Sequence, residues 1–205
     1  DIKVLDPACG CGFFLLKAYE ILSEKYRRNR AALKKLYPDR DWSDGGIHRH
    51  IIGRNLWGAD INPLAIEVAG TYLLLKNPSY NKELTPNLLV CDSLKPESSG
   101  SGAEAFFGNA TYHYVIGNPP YVSFGLRGVQ RLEPDYDKYL RTVYDASAEY
   151  KLSYYAFFIQ RGIDLLVDGG RLGYIVPDSF LLGRYYSKLR KYILAKTAIE
   201  ELVHI

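Results

Sequence analysis

Lys3-Val4-Leu5-Asp6-Pro7-Ala8-Cys9-Gly10-Cys11-Gly12-Phe13-Phe14-Leu15-Leu16 reads as a short strand, a glycine turn and the start of a helix. The strand, Lys3 to Asp6, ends at Pro7, and an apolar segment runs from Phe13 to Leu22. Outward from there the pattern repeats. Leu56 to Asp60 is a second strand, and Asn62-Pro63 supplies a helix N-cap and first helical residue. Leu64, Val68, Tyr72 and Leu75 then recur at helical spacing. Leu88 to Cys91 and Tyr112 to Ile116 are further strands. Leu152 to Leu166 carries a helical period closed by Gly169-Gly170, Leu172 to Val176 is a strand stopped by Pro177, and Tyr186, Leu189 and Ile193 mark a last helix before a final strand, Glu201 to Ile205. Strands alternating with helices predict an α/β chain, a doubly wound, mostly parallel sheet.

In such sheets ligands bind beyond the carboxyl ends of the strands. Asp6, Asp60 and Asp92 fall at those ends. One such acid alone is explained by a solvated strand end or a helix cap; three at successive strand ends point to a ligand. The turn lacks the third glycine of the dinucleotide fingerprint, because Leu15 takes its place, and no acid follows at about 20 residues. Nor is there a phosphate-binding Gly-x-x-x-x-Gly-Lys-Ser/Thr loop. Carboxylates accept hydrogen bonds from ribose hydroxyls, an exocyclic amine and a cationic amino group. S-adenosylmethionine fits that triad.

Composition narrows the class. The chain has 205 residues, 47% apolar and 24% charged, which excludes a disordered polymer and fits one domain with insertions. No apolar run nears the roughly 18 residues that span a bilayer, and no signal-peptide pattern opens the chain. Three cysteines and four scattered histidines form neither a disulfide framework nor a zinc site, so we expect a reducing, cytoplasmic protein without metal. Net charge is +3, compatible with nucleic acid without demanding it. The chain opens on Asp1 and holds no methionine, which leads us to expect a piece of a longer protein. Three stretches read as insertions: a basic, aromatic one over residues 24–50, one over 95–110 carrying Ser98-Ser99-Gly100-Ser101-Gly102, and a tyrosine-rich one over 121–150.

A second constellation, Asn118-Pro119-Pro120-Tyr121, follows the Tyr112–Gly117 strand. Two prolines stiffen the segment and remove two backbone donors. The amide oxygen of Asn118 and the carbonyl of Pro119 can together accept both protons of an amino group. Tyr121 offers a flat face for a base, worth about 1–3 kcal/mol in stacking. A plain strand-to-loop turn also uses Asn and Pro; the acid triad upstream favours the chemical reading.

Together these residues resemble the gamma-class adenine-N6 DNA methyltransferases of restriction–modification systems. Asp6 to Gly12 with Phe14-Leu15 is similar to their first motif, with Cys11 where serine is common. Gly58 to Pro63 is similar to the second, Cys91-Asp92-Ser93-Leu94 to the third, and Asn118 to Tyr121 to the catalytic one. Tyr154 to Leu166 and Gly169 to Leu181 resemble later core motifs. The resemblance implies a Rossmann-like methyltransferase core over 1–205 that uses S-adenosylmethionine. It implies cofactor contacts from Asp6, Pro7, Ala8, Cys9, Gly10, Gly12, Phe14, Asp60, Ile61, Asp92, Ser93 and Pro120, and catalysis by Asn118, Pro119 and Tyr121. It implies double-stranded DNA as partner, with a nuclease or specificity module in the same chain or complex, in a prokaryotic cytoplasm. By the same resemblance, we expect the family's helical motif before the first strand, its later aromatic motif and its target-recognition domain to fall outside 1–205. Cys9 and Cys11 read as small residues in a tight turn, not as nucleophiles.

Alternatives on the same fold are methylation of RNA, of a protein glutamine or of cytosine N4, and a non-catalytic DNA-binding subunit; intact Asn118 and Asp60 weigh against the last. Two basic groups, Lys25, Arg27, Arg28, Arg30, Lys34 and Lys35, then Arg184, Lys188 and Lys191, fit phosphate contact or a solvated helix face equally.

Overall fold

A sheet of five parallel strands carries the three acids at one end. The computed structural model describes residues 1–77, 84–99, 102–108, 111–124, 131–150 and 152–204. Gly100 and Ser101 of the serine–glycine stretch and Ile205 of the expected last strand lie outside them. In chain order the strands are β1 (Val4–Asp6), β2 (Leu56–Asp60), β3 (Asn87–Val90), β4 (Tyr112–Gly117), β5 (Ser123–Phe124), β6 (Leu152–Ser153) and β7 (Leu166–Tyr174). The main sheet has the order β3-β2-β1-β4-β7, and β5 pairs antiparallel with β6. Helices α1 (Phe13–Arg28), α2 (Arg30–Leu36), α3 (Asp44–His50), α4 (Pro63–Leu75), α5 (Gly102–Phe107), α6 (Pro134–Val143), α7 (Tyr154–Asp164), α8 (Ser179–Leu182) and α9 (Ser187–Lys196) connect them.

The short central strand β1 is buried along its length because helices cover both faces. Val4 packs on one side with Leu15 of α1, Leu56 and Leu73 of α4. Leu5 faces the other way, onto Ala59, Phe106, Phe107 and Val115. Removing a fully buried leucine such as Leu5 costs about 2–5 kcal/mol. Chain order reverses at β1, since β2 lies on one side and β4 on the other. That reversal opens a crevice at the carboxyl ends of β1 and β4.

The expected cap of α4 is present: Asn62 Oδ1 accepts from Leu64 N at 3.0 Å, and Pro63 opens the helix. Two expectations are corrected. The helix read over Leu152 to Leu166 is shorter, because Leu152 and Ser153 pair with β5 and Leu166 pairs with Tyr112 of β4. Gly169-Gly170 is therefore no helix stop; it lies within β7, where Gly169 has φ +75° and the register to β4 shifts between Tyr112 and Tyr114. The final strand is also absent over residues 201–204, which are exposed and without sheet pairing among the described residues. Glu200 is tied beside β7 by its ion pair with Arg171 at 3.1 Å, a side-chain contact that builds no ladder. No helix among the described residues is long and apolar enough to cross a membrane.

Candidate functional site

The glycine turn after β1 is held by its neighbours on the sheet. Cys9 N donates to Ala59 O at 2.9 Å, Gly10 N to Asp60 Oδ2 at 2.8 Å, and the buried Ser93 hydroxyl to Pro7 O at 2.6 Å. The two glycines do different work. Gly12 starts α1 at φ +83°, and a Cβ there would stand 3.0 Å from Ala69 Cβ, so its small size lets α4 approach. Gly10 has φ +50° and nothing within 4 Å of where a Cβ would be, so its backbone borders open space. That is the surface a ligand needs for close approach. Phe14 is half-buried in α1, and Ile61, 72% exposed, follows Asp60 directly in the chain.

The three acids differ in setting. Asp6 is buried, accepts from Ala8 N at 3.1 Å, and has its carboxyl pushed up to about 7, by burial first and then by the nearby Asp60 charge. Asp60 is half-buried and accepts from Gly10 N and Asn62 N at 2.8 and 2.9 Å. Asp92, also half-buried, accepts from Leu94 N at 2.9 Å. Burial also raises the thiols of Cys9 and Cys91, the latter to about 11, with the charges of Asp6 and Asp60 adding to the rise at Cys9. Such thiols stay protonated and serve as packing groups.

Asn118 lies immediately beyond β4, exposed, with Pro119 buried and Pro120 exposed. Gly117 brings this segment against Asp6, since a Cβ on Gly117 would stand 2.6 Å from Asp6 Oδ1. The Tyr121 hydroxyl reaches both Asn118 Oδ1 and Ile175 O, the latter at 3.2 Å. Its ring is 48% exposed and meets Tyr155 edge-on, with centroids 6.5 Å apart at 88°. Tyr121 is thus held by its hydroxyl and by Tyr155, while about half of the residue stays exposed.

One site group has no counterpart in the sequence reading. Tyr136 of α6 donates its hydroxyl to Asp92 Oδ2 at 2.5 Å. The tyrosine-rich segment signalled only packing, and a contact across 44 residues leaves no local pattern. The basic cluster on α1 and α2 is partly neutralised: Arg27 and Arg30 pair with Asp44, and Arg28 pairs with Glu24.

Residues 54–205 match the model of the Eco57I restriction-modification methylase. The chain belongs to that family. It is 27% identical over 233 residues to the type II restriction enzyme and methyltransferase RM.Eco57I of Escherichia coli, an alignment covering 99% of this chain and 23% of that protein. It is 26% identical over 237 residues to the adenine-specific methyltransferase PglX of Streptomyces coelicolor, covering 92% of this chain and 18% of the relative. The Eco57I-family chain thus spans about a fifth of the length of each. Its fold matches a nuclease-deletion mutant of the Type ISP restriction-modification enzyme LlaGI in complex with a DNA substrate mimic, with TM-score 0.66 at 16% identity over 93% of this chain and 16% of that one. With its β3-β2-β1-β4-β7 order and helices packed on both faces, the sheet of this Eco57I-family member is Rossmann-like.

Proposed function

We propose that residues 1–205 form one methyltransferase catalytic core that methylates the exocyclic amine of adenine in double-stranded DNA, using S-adenosylmethionine. The observation that carries this reading is the contact of Gly117 with Asp6, which sets Asn118 beside the acid-lined turn. Membership of a restriction–modification methylase family supports it, as does the adenine-specific relative. We also propose a nuclease or specificity module as partner, as in the combined restriction enzyme and methyltransferase of E. coli, and a place in the bacterial cytoplasm.

The residues present fit the cofactor. The open backbone at Gly10 gives room for close approach, the half-buried Asp60 and Asp92 offer carboxylates to ribose hydroxyls and a base amine, and the buried Asp6 lies behind the turn as a negative charge for an ammonium. Pro7, Ala8, Cys9 and Gly12 shape the turn, Ser93 pins it, and Phe14, Ile61 and Pro120 supply apolar walls. When bound, S-adenosylmethionine supplies an electrophilic methyl group on a sulfonium.

The chain's own residues prepare the acceptor. An adenine inside a duplex is out of reach, so it must leave the stack, at a cost of a few kcal/mol. The exposed face of Tyr121 receives the base by stacking. Asn118 Oδ1 keeps a second lone pair beyond the one that meets Tyr121, and with the Pro119 carbonyl it accepts the two amine protons. Those bonds draw the nitrogen toward tetrahedral geometry and return its lone pair from the ring. This is fixed polarity aimed at charge that develops on the nitrogen.

Calorimetric titration of the chain with S-adenosylmethionine, NAD and ATP tests the reading. Selective binding of S-adenosylmethionine is expected. Equal binding of all three, or of NAD or ATP alone, overturns it.

A further inference from the structure

Both oxygens of Asp92 are already engaged within the protein. Leu94 N donates to Oδ1 at 2.9 Å and the Tyr136 hydroxyl to Oδ2 at 2.5 Å. An ionised carboxylate has about four acceptor positions, so two stay available while the group's rotation is fixed. The Leu94 contact is local. Tyr136 comes from α6, whose buried Leu140 packs in one cluster with Leu94 and Phe157, and with Ala8 of the glycine turn at its border. Two further bonds hold this region to the segment that follows Asp92: Tyr144 Oη donates to Leu94 O at 2.7 Å, and Tyr139 Oη to Glu97 Oε2 at 2.9 Å. The Tyr136 hydroxyl keeps its proton, because burial and the Asp92 charge push its ionisation far up. Toward Asp92 it acts as the donor.

We propose that Tyr136 is a positioning residue that fixes Asp92 for the amino group of the cofactor's base and so makes the cleft select a 6-aminopurine over a 6-oxopurine. The inference rests on the cofactor reading above and adds a residue and a selectivity to it. An amino group donates to a carboxylate, whereas a 6-oxo group presents an acceptor to another acceptor. That difference is felt only if the carboxylate stays in place. Without the hydroxyl, Asp92 keeps one local bond and can turn toward water, while the Tyr136 ring keeps its packing.

The test is calorimetric binding of S-adenosylhomocysteine and S-inosylhomocysteine to the chain and to its Tyr136→Phe and Tyr139→Phe variants. Wild type should prefer the adenosyl ligand. Tyr136→Phe should weaken that ligand about tenfold, the scale of one lost charge-assisted bond, and leave the inosyl ligand nearly unchanged. Tyr139→Phe, whose hydroxyl serves Glu97, should preserve the preference, and thermal unfolding should find both variants folded. Equal weakening of both ligands by Tyr136→Phe, or no weakening, overturns the role of Tyr136 alone. A wild-type chain that binds neither ligand overturns the cofactor reading and this inference with it.

Discussion

The missing side chain of Gly117 makes room for the carboxylate of Asp6: a Cβ on Gly117 would stand 2.6 Å from Asp6 Oδ1 and 3.1 Å from its Cγ. Gly117 also has φ +152°, where side chains are disfavoured. Alanine there meets steric overlap and backbone strain together. Gly117→Ala should therefore lose about 2–4 kcal/mol of stability in urea unfolding, from overpacking and strain combined. A loss below 0.5 kcal/mol, about the scale of a neutral surface change, would show that Asp6 moves aside freely.

With the Asp6 carboxyl raised to about 7, the proposed cofactor binding should depend on pH. Below that value Asp6 is mostly protonated and neutral, and a cationic ligand gains little from it. Above it the carboxylate is present and attracts the cation. Affinity for S-adenosylmethionine should thus fall as pH drops through 7, by up to about tenfold per unit, with proton release on binding in the same range. Above about pH 8 it should level off. Calorimetry at several pH values checks this, and Asp6→Asn should flatten the dependence.

Much of this was readable in the chain because its signals are local. Asp6 and Asp60 each end a short apolar run, and Asn62-Pro63 carries its cap within three residues. The helix stop at Gly169-Gly170 misled for a local reason too, since glycine ends helices and kinks strands alike. Only the pairing of Leu166 with Tyr112 separates the two. Tyr136 on Asp92, and Gly117 against Asp6, depend on which elements the sheet order brings together. Neither has a spacing that a sequence pattern could carry.

Ser93 tests how far the turn depends on its neighbours. Its buried hydroxyl donates to Pro7 O at 2.6 Å, and alanine would leave that carbonyl without this partner. Ser93→Ala should cost about 1–3 kcal/mol in urea unfolding. An unchanged midpoint would mean that the bonds at Cys9 and Gly10 hold the turn by themselves.

Asn118 and Asp60 should separate chemistry from cofactor binding. Asp60 bonds the turn through Gly10 N, so Asp60→Ala removes a support of the turn together with the proposed ligand acceptor. Asn118 stands exposed beyond β4, and its side chain meets Tyr121, not the turn. Asp60→Ala should weaken S-adenosylmethionine binding at least tenfold, as loss of a charged partner does. Asn118→Ala should bind the cofactor within about twofold of wild type, yet lose methyl transfer by at least a hundredfold, the scale of one lost transition-state hydrogen-bonding group. Transfer of labelled methyl groups to adenine-containing duplex DNA, measured beside calorimetry, distinguishes the two. Full transfer by Asn118→Ala would remove Asn118 from the chemistry and move the acceptor role to the Pro119 carbonyl.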